Sequence, residues 1–210
     1  MKNQKYKGIV AHYESCLEKH GDTHLGVDWP KAEDAIKRYE VMLDLIRGAP
    51  PKGRVRLLDF GCGAAHMLEH IRASRRTNID YVGLDLSSKF VELARCKFPS
   101  HKFYQGDLLE NSGLIPTFDY IVMNGVFTEK RDLSYDEMLG YFKRLLKAAW
   151  NKTEKGIAFN VMSKHVDWER ADLFHLPFDT LAGFLTKELT RNFAFRNDYG
   201  LYEYTTYAYR

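Results

Sequence analysis

Leu57-Leu58-Asp59-Phe60-Gly61-Cys62-Gly63-Ala64-Ala65 is an apolar run that passes through two glycines into the spacing Met67, Leu68, Ile71. The run is short, as a buried strand is, and the spacing after it marks one face of a helix, so the stretch reads as strand, tight turn, helix. Glycines in such a turn let the backbone pass close to a ligand with no Cβ in the way. A lone Gly-x-Gly is a weak signal, because a tight β-α turn needs small residues for structural reasons alone. Its surroundings decide.

Outward from this turn the pattern alternates. Residues 55–60 and 81–84 are apolar runs, and between and after them Met67, Leu68, Ile71 and Phe90, Val91, Leu93, Ala94 recur at helical spacing. Further strands are expected at 102–104, 119–123 and 157–162, with a helix between the last two opening on the capping-box pair Ser134 and Glu137. Such β-α-β alternation predicts a doubly wound α/β fold, a parallel sheet covered by helices. The tail departs from it: 192–196 and 201–209 are aromatic and β-branched, joined by Asn197-Asp198-Tyr199-Gly200, which predicts an antiparallel hairpin.

Toward the N-terminus, residues 1–29 show no sustained period. From Ala32 onward Ala35, Ile36, Tyr39, Met42, Leu43 and Ile46 predict a helix, with Asp28 as its cap, Pro30 in its first turn, and Gly48, Pro50 and Pro51 ending it. Without repeats or linkers, a single domain over 1–210 is expected, made of an N-terminal helical lid (1–50) and a core (54–210).

Composition sets further bounds. The 210 residues are 45% hydrophobic and 28% charged, enough for one α/β core. No run approaches the ~18 apolar residues of a membrane span, and the lysine-rich start has no apolar signal core behind it, so a cytoplasmic protein without a membrane partner is expected. Cys16, Cys62 and Cys96 lack any Cys-x-x-Cys pairing, which predicts neither a disulfide framework nor a metal site. The net charge of +3 is spread along the chain rather than gathered in a stripe, so no nucleic-acid partner is expected.

What the glycine turn binds is narrowed by its neighbours. A dinucleotide site wants Gly or Ala three residues after the second glycine, where His66 stands, and no Gly-x-x-x-x-Gly-Lys-[Ser/Thr] loop is present. Asp59 just before the glycines would repel a pyrophosphate and attract an ammonium group. Twenty-two residues after Gly63, Asp85 ends the second strand, where a carboxylate can accept both ribose hydroxyl protons. Asp107, in Gly106-Asp107-Leu108 after the third strand, can accept from the exocyclic amine of adenine. The fourth strand ends in Asn124-Gly125-Val126-Phe127, facing the reacting end of a ligand.

In this order the segments resemble the successive cofactor motifs of the class I S-adenosylmethionine-dependent methyltransferases. The resemblance covers roughly 54–210, including the terminal hairpin, and implies a Rossmann-like sheet and S-adenosylmethionine as cofactor. It implies that Asp59, Gly61 and Gly63 hold the methionine part, Asp85 with Leu86 the ribose, and Asp107 with Leu108 the adenine. Asn124, Trp29 and Arg38 are expected to complete the cofactor site, with an ion pair from Arg38 to Asp34 as the structural alternative.

The acceptor side is less marked. Methyl transfer from a sulfonium needs alignment and a ready nucleophile. Asn124 stands where metal-assisted catechol-type enzymes have an acid, and Asn124-Gly125-Val126-Phe127 lacks the prolines of base-methylating enzymes. Gly26-Val27-Asp28-Trp29, Asn124-Gly125-x-Phe127, Ala158-Phe159-Asn160 and the 198–204 segment together resemble small bacterial methyltransferases of surface-polysaccharide and sugar pathways, which usually carry Ser-Gly where this chain has Asn124-Gly125. The resemblance implies O-methylation of a small polar metabolite, a sugar or an anionic sugar phosphate. His20, in a glycine-broken loop 20–29, or His165 is then the expected base, and Arg38 or Arg196 the anion holder. A non-catalytic cofactor-binding partner and an aminopropyl transferase are the alternatives. The three strand-end acids argue against the first, and Thr128-Glu129-Lys130-Arg131, which lacks paired acids, against the second.

Overall fold

The computed structural model describes residues 5–46 and 53–210. The chain runs α1 (Lys7–His20), a 3-10 turn (Leu25–Val27), α2 (Ala32–Leu43), β1 (Val55–Phe60), α3 (His66–Ala73), β2 (Ile79–Asp85) and α4 (Ser88–Lys97). It continues through β3 (Lys102–Gln105), β4 (Phe118–Met123), α5 (Tyr135–Trp150), β5 (Thr153–Met162), α6 (Phe178–Glu188), β6 (Phe193–Arg196) and β7 (Glu203–Tyr209).

The strands form one sheet in the order β3-β2-β1-β4-β5-β7-β6. Strands β1 to β5 are parallel, and β7 enters antiparallel between β5 and β6. Because neighbouring side chains on a strand point to opposite faces, Leu58, Ile121 and Ile157 join one core and Leu57, Val122 and Ala158 the other. The first core holds the Phe127, Phe142, Phe159 and Phe174 rings under α5 and α6, the second Met42, Met67 and Val91 from α2, α3 and α4. With both faces covered, the strands can be apolar throughout, the pattern that makes them legible. The strand order reverses between β1 and β4, which opens a crevice at their carboxyl ends.

Local chemistry sets several boundaries. Ser134 Oγ accepts from the Glu137 amide at 3.2 Å while the Glu137 carboxylate accepts from the Ser134 amide at 2.9 Å, so the expected capping box starts α5.

Four expectations are corrected. Residues 7–20 are helical, because Tyr6, Ile9, Val10, Tyr13 and Leu17 do follow a three-and-four spacing, diluted by charged neighbours. Asp28 does not cap α2, whose N-cap is Lys31; it ends the 3-10 turn in the left-handed region instead. Ile36 is 49% exposed although it fits the apolar spacing of α2. Helix α6 was not expected at all. The helix stop read at Gly48, Pro50 and Pro51 lies outside the described residues. Among the described residues no helix is long and apolar enough to cross a membrane.

Candidate functional site

The crevice is a cavity whose floor is made by the turns after β1, β2, β3 and β4. After β1 the chain reverses tightly: the Gly61 and Cys62 amides donate to the Leu84 carbonyl at 2.7 and 3.0 Å. Gly61 and Gly63 have φ of 77° and 50°, a region costly for a side chain. A Cβ on Gly61 would also lie 2.6 Å from the Val126 methyl, so the turns after β1 and β4 meet only because that position is glycine.

Each acid is held by groups that the fold supplies. Asp85 accepts from the Gly63 amide at 2.8 Å and the Ser87 amide at 2.9 Å, which pins the second turn to the first. Asp107 accepts from the Leu109 amide at 2.8 Å and from the Tyr6 hydroxyl at 2.5 Å. Asp59 accepts from the buried Tyr81 hydroxyl at 2.7 Å. Burial, offset in part by that hydroxyl and reinforced by the Asp85 charge, pushes Asp59 up to about 7. Burial also raises Asp85. Both acids thus sit where a cation would relieve the cost of keeping them ionised.

The turn after β4 is braced from behind the sheet ends. The Gly125 amide donates to Asn160 Oδ1 at 2.7 Å, Asn160 Nδ2 donates to Glu203 Oε1 at 2.9 Å, and Arg38 Nε donates to Glu203 at 3.0 Å. The Arg38 guanidinium lies 4.1 Å from the Trp29 ring centre, and Trp29 packs so closely on Gly125 that a Cβ there would approach it to 2.9 Å. Two buried polar atoms of this region have no hydrogen-bond partner, Asn124 Oδ1 and Arg38 Nη1.

Helix α1 roofs the cavity with Tyr6, Ile9, Val10 and Tyr13. Tyr6 stacks on Tyr141 at 4.6 Å, and the Tyr13 hydroxyl, raised far above its ordinary value by burial and then by the Glu129 charge, lies 3.5 Å from the Gly125 carbonyl. Polar side chains fasten the helix to several elements. Glu14 accepts from the Ser87 hydroxyl at 2.6 Å and pairs with Lys89, Lys7 pairs with Glu110, and Asp22 just beyond the helix pairs with His66 and Lys97.

Of the residues expected from the sequence, Asp59, Gly61, Gly63, Asp85, Leu86, Asp107, Leu108, Asn124 and Trp29 all border the cavity. Three do not. His20 is the last residue of α1 rather than part of a flexible loop, and His165 stacks on Phe178 at 5.8 Å, so neither candidate base reaches the cavity wall. Arg38, expected at the cofactor with a pair to Asp34 as the alternative, is instead drawn into a buried pair with Glu203 and touches the cavity only through Trp29. Arg196 is bound to Asp44 and Asp198 at the sheet edge. The residues missed are Tyr6 and Tyr13, whose signal was the diluted spacing of α1.

Residues 58–149 match the family model of a methyltransferase domain. A Mycobacterium tuberculosis (strain ATCC 25618 / H37Rv) protein whose name assigns it provisionally to the methyltransferases is 26% identical over 149 residues, 70% of this chain and 88% of that protein. Among solved structures, the DhpI-SAM-HEP complex superposes with a TM-score of 0.66 at 12% identity, covering 100% of this chain and 99% of that one. A SAM-dependent methyltransferase from Leishmania major gives 0.66 at 18% identity, covering 98% and 82%. The magnesium protoporphyrin IX methyltransferase of Synechocystis PCC 6803 with bound SAM gives 0.54 at 14%, covering 100% and 85%. At these identities the structural matches establish a shared Rossmann-like fold.

Proposed function

We propose, from the premise that this chain is a methyltransferase whose cofactor is S-adenosylmethionine, that it methylates an oxygen of a small, neutral, polar acceptor such as a sugar hydroxyl. The observation that carries the acceptor class is the cavity wall. It holds Asp59, Asp85 and Asp107, and among the described residues it offers neither lysine nor arginine to an anion. An anionic sugar phosphate, the other acceptor the sequence suggested, would be desolvated on this wall with no cationic side chain to pair with.

The residues present fit the cofactor. Gly61 and Gly63 bring bare backbone to the cavity wall, the strand-end acids suit an amine-bearing, cationic nucleoside, and Asn124 Oδ1 is a buried acceptor still without a donor. When bound, S-adenosylmethionine supplies an electrophilic methyl group on a sulfonium whose charge is lost on transfer. The chain's own part is to bind, align and exclude water. Asp85 would take the ribose hydroxyls, Asp107 with Leu108 and Tyr6 the adenine, and Asp59 and Asn124 the methionine end. Arg38 acts on that end by holding Trp29. Tyr13, too weak an acid to serve as a proton carrier at neutral pH, would turn its one hydroxyl proton from the long 3.5 Å contact with the Gly125 carbonyl to the acceptor oxygen and align it.

The test is a product assay with labelled cofactor on paired neutral and phosphorylated sugars. O-methylation confined to the neutral member is expected; a preference for the phosphorylated one, or an N-methylated product, would overturn the acceptor class. Tyr13→Phe should lower turnover roughly tenfold, the size of one lost neutral hydrogen bond, with cofactor affinity unchanged. His20→Asn should leave turnover near the parent's.

A further inference from the structure

Three ligand-type side chains that the cavity does not use converge where α1 faces the 3-10 turn. His12 and Cys16 are four residues apart on α1, hence on one face of the helix, and Asp28 ends the turn opposite them. His12 Nε2 lies 2.7 Å from Asp28 Oδ2 and 3.8 Å from Cys16 Sγ. All three potential ligand atoms lie within 4.8 Å of one another. Asp28 is also one of the few non-glycine residues of positive φ, 59°, a backbone conformation that turns its carboxylate back toward α1.

We propose that His12, Cys16 and Asp28 bind a divalent transition ion of the zinc class, with the fourth tetrahedral position open. One imidazole, one thiolate and one carboxylate are a borderline-soft set; magnesium and calcium want oxygen ligands throughout. Bond lengths near 2.0 Å to nitrogen and 2.3 Å to sulfur put those two atoms roughly 3.5 Å apart in a tetrahedron. The observed 3.8 Å is close to that, and the histidine and aspartate atoms need to separate by only about half an ångström. A zinc-class ion is bound by the thiolate, so metal binding at Cys16 would release the thiol proton.

The site has structural reach. Asp28 precedes Trp29, which packs on Gly125 beneath the roof of the cavity, so the ion would tie α1 to the segment carrying that ring. No Cys-x-x-Cys pair marks the site in the sequence, because its ligands come from one helix face and a turn twelve residues on.

The experiment titrates chelator-stripped, tag-free, full-length protein with cobalt(II), read by absorption. One equivalent should produce the visible bands of tetrahedral cobalt and a near-ultraviolet thiolate-to-cobalt band, both abolished by one equivalent of zinc. Cys16→Ser should lose the thiolate band while retaining the parent circular dichroism, and Cys96→Ser should keep it. His12→Gln should weaken cobalt binding at least tenfold. A folded parent without a thiolate band, or a band that survives in Cys16→Ser, would overturn the site and leave a simple His12–Asp28 ion pair.

Discussion

The floor and the roof of the cavity are built from different materials. The floor consists of turns at the ends of parallel strands, closed by backbone hydrogen bonds such as Gly61 to Leu84 and by acids such as Asp85 that accept from two amides. The roof is one helix with a single buried apolar residue of its own, Ile9, held mainly by side-chain contacts at its rim. Backbone amides and buried carboxylates cannot leave without disturbing the sheet, whereas exposed ion pairs exchange with water at little net cost. The floor, which we propose holds the cofactor, is therefore preformed, and the roof over it is the more weakly attached half.

The contrast is broken most forcefully at Glu203. It is 1% exposed, holds Arg38 and Asn160 together, and through Asn160 supports the Gly125 amide. Glu203→Ala leaves the Arg38 charge buried without its partner, a loss of about 3–5 kcal/mol, which denaturant unfolding should register as a lower midpoint. A change under 1 kcal/mol would mean that this brace is not part of the rigid floor.

Asp85 tests the floor's binding role. Asp85→Ala should cost about 1.5–3 kcal/mol of S-adenosylhomocysteine binding by calorimetry, the size of a lost charge-assisted partner. Unchanged affinity would remove Asp85 from the cofactor site.

Much of the floor was legible before any coordinates, and the reason is physical. Strands β1, β2, β4 and β5 are buried on both faces over most of their length, so their apolar runs stand out, and the acids that close β1 and β2 mark where those runs stop. The roof was not legible to the same degree, because α1 buries only a narrow stripe and spends its other positions on ion pairs. His20 and His165 are candidate bases by residue type alone, a property that carries no position, and the fold takes both away from the cavity wall. Arg38 was noticed, but its partner Glu203 is 165 residues away, beyond any local spacing. Helix α6 follows a stretch of turns and strand bridges that shows no period of its own.

Asp59 gives the comparison a pH axis. Its folded value, about 7, lies above the ordinary 3.8, so the folded state binds more protons between those limits and stability falls as pH rises from about 4 to 7. A cationic cofactor favours the ionised form, so its affinity should rise with pH, by up to about tenfold per unit below 7, and level off above. Asp59→Asn keeps an acceptor for Tyr81, flattens that profile, and should be more stable than the parent at pH 8. A parent profile already flat from pH 5 to 8 would show that Asp59 is not linked to cofactor binding.

The smallest effect is expected at the roof, and its smallness is the point. Glu14 accepts from the Ser87 hydroxyl and pairs with Lys89, and these bonds hold its carboxyl below the usual glutamate range. Glu14→Gln keeps an acceptor for Ser87 but removes the charge, so the loss should resemble that of a surface pair, roughly 0.2–1 kcal/mol. Cofactor release, followed by stopped-flow fluorescence of the tryptophans, should quicken by less than about fivefold. The same increase should appear in the parent when salt is raised, since screening weakens exposed pairs. Salt should then change the variant less than the parent. A tenfold or larger acceleration would mean that α1 is locked to the floor as firmly as the turns are to one another, and the division between a fixed floor and a yielding roof would fail.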